Sequence, residues 1–143
     1  MTLTTLHVCF AATAIVLGTL AGWGGLALIV AKRTHGKVRL PLGFRLRSHM
    51  TFGVTYLGLL VVTLILGFVA AQGAGGGELI EWHERVGIVA VVMVGAGGFI
   101  GLQMRAAKAR RGRLRALHVV LTYGACLVLA VQVVLGLMLL GVL

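Results

Sequence analysis

Four long apolar stretches, about Leu3–Ala31, Met50–Ala71, Trp82–Met104 and Leu114–Leu143, take up most of the chain, and the polar residues collect in the gaps between them. Within each stretch the apolar residues run on without the strict alternation that a membrane barrel strand requires. Each stretch reaches the roughly 20 residues a helix needs to cross a hydrocarbon layer of about 30 Å. The pattern predicts an all-α membrane protein, a single four-helix transmembrane domain spanning residues 1–143. Short connections favour an up-down-up-down bundle.

Composition agrees with lipid as the surrounding solvent. Hydrophobic residues make up 59% of the chain and charged residues 11%, with a mean hydropathy of +1.07. A soluble domain of this size has no interior large enough to hide that surface. The 22 glycines fit the same class, because membrane helices use glycine to approach one another closely.

Charge sets the expected orientation. Lys32, Arg33, Lys37, Arg39, Arg45 and Arg47 lie between the first two helices; Arg105, Lys108, Arg110, Arg111, Arg113 and Arg115 lie between the last two. These are twelve of the thirteen basic residues, and the positive-inside rule makes their side cytoplasmic, with both termini opposite. Glu78, Glu81 and Glu84 share the remaining loop with Arg85. The net charge of +10 is thus a topology signal with an attraction to anionic membrane lipid, not a nucleic-acid footprint. No basic residue precedes the first helix, so it is expected to stay as an anchor and not to be cleaved as a signal peptide.

The chain also reads as two copies of a helix, basic loop, helix unit, about residues 1–72 and 73–143. With His7 aligned on His83, Gly22-Trp23-Gly24-Gly25-Leu26 matches Gly98-Phe99-Ile100-Gly101-Leu102. With His49 aligned on His118, Leu66-Gly67 matches Leu135-Gly136. Both copies cross the membrane in the same sense, so the symmetry axis would run along the membrane normal.

Four of the five histidines fall one per helix. His7 and His83 begin the first and third helices on the outer side; His49 begins the second and His118 lies one turn into the fourth, on the inner side. Topology and repeat both sort them into an outer and an inner pair. Two imidazoles facing each other across a bundle core are what a b-type haem iron needs. Small residues four and seven positions after the histidines (Ala11, Gly53, Gly87 and Thr122; Ala14, Ala90 and Ala125, with Tyr56 the exception) would leave a slot beside the ligands. Each histidine alone is more at home as a structural, interfacial ring than as a ligand; the joint pattern points to two haem b groups, with iron held by His7, His83, His49 and His118.

Haem propionates need cations near water. Arg45, Arg47, Arg105 and Arg115 are placed for this on the inner side and Arg85 on the outer side, although snorkelling accounts for any one of them. Glu81 and Glu84 flank His83, where they either assist proton or quinol chemistry or complement the helix dipole. Cys9 and Cys126 read as small apolar fillers without a disulfide, and without a C-x-x-C-H motif there is no covalent haem attachment.

One histidine on each of four consecutive helices, alternating between membrane faces, resembles the core of the cytochrome b561 family of transmembrane di-haem proteins. The resemblance covers nearly the whole chain and implies one haem on His7 and His83 and the other on His49 and His118. It fits a small prokaryotic form in a bacterial inner membrane, without the extra helices or an ascorbate-site motif of eukaryotic members. The implied function is transmembrane electron transfer between a quinol or redox partner protein and an acceptor on the other side. Two other readings stay open: a haem-binding anchor subunit of a larger oxidoreductase complex, and a haem-free assembly or metal-handling membrane protein.

Overall fold

The computed structural model describes residues 2–34, 46–73, 75–106 and 111–143, without the side chains of Arg105, Ala106 and Arg111. The described residues form four helices, α1 (Leu3–Arg33), α2 (Leu46–Gln72), α3 (Glu78–Ala106) and α4 (Arg111–Leu139). All four are long and apolar enough to cross a membrane. In lipid only a helix satisfies every backbone group within its own segment, so apolar runs of this length have one structural solution.

The hydroxyl groups follow the same demand. Thr13, Thr19, Thr51, Thr63 and Thr122 each donate to the carbonyl four residues earlier, at 2.7–3.0 Å, and so present no unsatisfied donor to hydrocarbon. At the start of α1 the Thr2 hydroxyl accepts the Thr5 amide at 3.2 Å. Between α2 and α3, Gly75, Gly76 and Gly77 all have positive φ, and that backbone path makes the turn short.

α4 departs from the expected limits at both ends. It begins at Arg111, inside the basic stretch, because arginine is a good helix former whose charge does not stop a helix outside the hydrocarbon. His118 therefore lies two turns into α4 rather than one. The helix ends at Leu139, where Gly141 turns to φ 68°, its amide donating to the Met138 carbonyl and Val142 to the Leu137 carbonyl. That double bond with a left-handed glycine closes the helix before Leu143.

α1 packs along α2, and α3 along α4, while the two hairpins meet chiefly through α2 and α3. On the α1/α4 side the backbones approach less closely, and the Tyr123 hydroxyl reaches across to donate to the Gly22 carbonyl at 3.4 Å. The core is a thin layer with one residue from each helix, Ala14, Leu60, Val94 and Ala125, flanked by Tyr56 and Leu129. Ala14, Ala90 and Ala125 are buried, so small side chains let the helices close on one another.

Large apolar residues such as Val54, Val92 and Leu127 face outward, as they should in a molecule surrounded by lipid. Cys9 and Cys126 are also on that outer surface, both free, instead of filling the interior.

Ala14 is fully enclosed in the core layer, so its neighbours must give way to any added bulk. Ala14→Leu should destabilise the bundle by about 1–3 kcal/mol, the usual cost of overpacking, whereas outward-facing Val16→Leu should change little. Unfolding in mixed micelles, followed by far-UV circular dichroism, reads the difference.

Candidate functional site

The helices bring four histidines together in two pairs. His7 of α1 and His83 of α3 have ring centres 6.1 Å apart with planes inclined at 68°. His49 of α2 and His118 of α4 have ring centres 6.2 Å apart at 86°. The first pair lies at the end of the bundle that carries the chain termini, the second at the end of the basic loops.

A spacing rule within each helix positions these rings. Gly25, Gly67, Gly101 and Gly136 each stand eighteen residues after their own helix's histidine. Eighteen residues are about five turns, so histidine and glycine share a helix face roughly 27 Å apart. In each antiparallel hairpin the histidine of one helix then meets the glycine of the other, at both ends. A Cβ on Gly67 would lie 3.0 Å from Cε1 of His7, on Gly25 3.1 Å from that of His49, and on Gly101 and Gly136 3.2 Å from those of His118 and His83. Each ring rests edge-on against a bare stretch of backbone.

The bare backbone uncovers a carbonyl one turn earlier. Nδ1 of His7 donates to the Thr63 carbonyl at 2.9 Å, that of His49 to the Ala21 carbonyl at 2.9 Å, and that of His118 to the Gly97 carbonyl at 2.7 Å. All three acceptors stand fourteen residues after their own helix's histidine. A carbonyl accepts only, so the ring proton is on Nδ1, and in a neutral ring Nε2 keeps its lone pair. That is the tautomer in which an imidazole binds a metal, with the carbonyl as its outer support.

His83 differs. Its Nε2 lies 3.0 Å from Nε2 of Gln132, and its Nδ1 and the Gln132 Oε1 are buried without a hydrogen-bond partner.

The charged candidates sit at the rims. Arg47 is exposed in the first turn of α2, two residues before His49, and lines an open cavity of about 360 Å³ with Ser48, Thr51 and Phe52. Arg115 is exposed on α4, one turn before His118. Arg85 pairs with Glu81 at 2.8 Å and lies over the Trp82 ring at 5.8 Å, so it is already held by its own helix. Arg45 and His35 lie outside the described residues, as does the Arg105 side chain.

Each pair offers two imidazoles, and beside His83 the Gln132 amide as well. Among the described residues no group of three or more His, Cys, Asp or Glu gathers to hold a metal ion. A bare transition metal generally draws three or four protein ligands, so a two-nitrogen set suits a metal whose other positions come from elsewhere. No protein-family model matches the chain, nor does any curated protein or solved structure.

Two features escaped the sequence reading. The histidine-to-glycine spacing was visible within both repeats, but its meaning depends on a contact between two helices. Gln132, one polar residue in an apolar run, carried only its polarity as a signal.

The seats make a specific demand on volume. Gly67→Ala would press on the His7 ring and should lengthen or break its bond to Thr63, a loss of about 0.5–1.5 kcal/mol set against the roughly 0.5–1 kcal/mol that alanine gains over glycine inside a helix. Imidazole ¹⁵N spectra of the detergent-solubilised chain should show His7, His49 and His118 as Nδ1–H tautomers, with only the His7 signal altered in that variant.

Proposed function

We propose that the chain is a di-haem b-type cytochrome that carries single electrons across a bacterial inner membrane. One observation supports this above all: two facing imidazole pairs, at opposite ends of one apolar bundle, three of whose rings are already held in the metal-binding tautomer. Two imidazoles on one metal, with bonds of about 2 Å, hold their ring centres roughly 6 Å apart. The observed separations of 6.1 and 6.2 Å fit that requirement. A macrocycle would supply the remaining positions, so a third protein ligand would not be needed. Haem held in this way exchanges one electron and leaves no coordination position open to oxygen or substrate.

On this reading the protein's own residues have distinct tasks. His7 and His83 hold one haem, His49 and His118 the other. The carbonyls of Thr63, Ala21 and Gly97 keep three rings in place and in the tautomer that leaves Nε2 free. Ala14, Leu60, Val94 and Ala125 form an apolar layer between the two sites and keep water out of the path. Arg47 and Arg115, with Arg45 of the adjoining loop, would neutralise propionates at the basic end. At the other end Arg85 would do so while tethered by Glu81. The positive-inside rule puts the His49/His118 site near the cytoplasm and the chain termini outside. A quinol or a redox protein would deliver electrons at one face, and a second partner would remove them at the other.

Purified protein should contain two haem b groups per chain by pyridine haemochrome, with a bis-imidazole reduced-minus-oxidised spectrum. His7→Ala and His83→Ala should remove the same haem, and His49→Ala and His118→Ala the other. A colourless protein from cells supplied with haem precursors would sink the proposal.

A further inference from the structure

Gln132 breaks the equivalence of the two sites. It stands fourteen residues after His118, the place held by Ala21, Thr63 and Gly97 in the other helices. At those three places a backbone carbonyl takes the proton of the facing imidazole. At Gln132 no such bond forms, and the side chain meets the other ring nitrogen, its amide nitrogen 3.0 Å from Nε2 of His83. An amide nitrogen only donates, so this nitrogen of His83 is the acceptor and the ring proton is on Nδ1. That Nδ1–H and the Gln132 Oε1 are both buried and unpaired. One is a donor and the other an acceptor, so they complement each other.

Space for the side chain is provided on the facing helix. A Cβ on Gly87 would lie 3.0 Å from the Gln132 amide nitrogen. Gly87 follows His83 by four residues; the residue four after His7 is Ala11. One half thus carries Ala11 with Thr63, and the other Gly87 with Gln132. The larger side chain on one helix is matched by a smaller one on its neighbour.

We propose that Gln132 is a positioning residue that makes the His7/His83 site load after the His49/His118 site. In the cofactor-free chain its amide occupies Nε2 of His83, the nitrogen that iron would take. On loading, the amide must leave Nε2 before iron can take that position, and the amide loses its acceptor. The proposal rests on the di-haem reading. Loading must first break a hydrogen bond that the other site lacks, so the expected difference in haem affinity is up to about tenfold.

Titration of the full-length, haem-free protein in detergent with haemin, followed by Soret absorbance, tests the order. Wild type should fill in two phases, and His83→Ala should lack the weaker one. Gln132→Thr, which installs the counterpart of Thr63, should bring the two phases together; Gln132→Ser serves if the threonine variant does not accumulate. Imidazole ¹⁵N spectra give a readout without haem, since in Gln132→Thr the His83 signal should move toward those of the other three. Two haems bound with equal affinity in wild type, or phases that stay apart in both variants, would overturn the role of Gln132 and leave the di-haem reading intact. Failure of wild type to take up haem would overturn both.

Discussion

A helix carbonyl already accepts from the amide four residues ahead, and a donor from a neighbouring helix reaches it only where the side chain at that amide is out of the way. The imidazole-to-carbonyl bonds of this bundle depend on that constraint. Gly25, Gly67 and Gly101 each expose the carbonyl one turn earlier, at Ala21, Thr63 and Gly97, to a histidine from the antiparallel neighbour. Such a bond contributes only about 1 kcal/mol. In lipid, however, helices are not driven together by the hydrophobic effect, and close packing and interhelical hydrogen bonds must hold them. With a contact near each end of a hairpin, about five turns apart, the register is fixed. The contact that joins the helices also fixes which ring nitrogen of each of these histidines carries the proton.

Much of this arrangement could be read in advance, because hydropathy and depth are one-dimensional properties. Apolar run lengths gave four helices, and their order put His7 level with His83 and His49 level with His118. Features that need a second helix to interpret were not legible in this way. The shared glycine spacing is a fact of one helix, but its purpose lies in the partner's ring. Helix limits were blurred for a different reason. The arginines before Leu114 end the apolar pattern without ending the helix, while Leu140 continues that pattern up to the left-handed turn at Gly141. Cys9 and Cys126 were misplaced because lipid accepts small apolar residues on the outside as readily as the core does.

The interior between the histidine pairs shows how little core such a bundle needs. Ala14, Ala90 and Ala125 are buried, and among the described residues no large side chain is fully enclosed. A soluble four-helix protein fills its centre with leucine and isoleucine, since burial of apolar area is its main source of stability. Here lipid already surrounds the apolar faces, so the centre is free for small residues, close backbones and the few polar rings. The scarcity of bulk in the core and the presence of four histidines in it have the same cause.

Two identical halves would give two identical histidine pairs, and the two pairs of this bundle are not identical. The differences lie at the side chains that surround the rings, not in the helix framework. Gln132 with Gly87 replaces Thr63 with Ala11, a large-for-small exchange offset on the facing helix, so hairpin geometry and glycine seats are kept. Charge provides the second difference: the basic loops lie at one end, and the Glu81–Arg85 pair marks the other. A framework set by backbone contacts tolerates both changes: Gly136 still seats the His83 ring, although no carbonyl takes its Nδ1 proton.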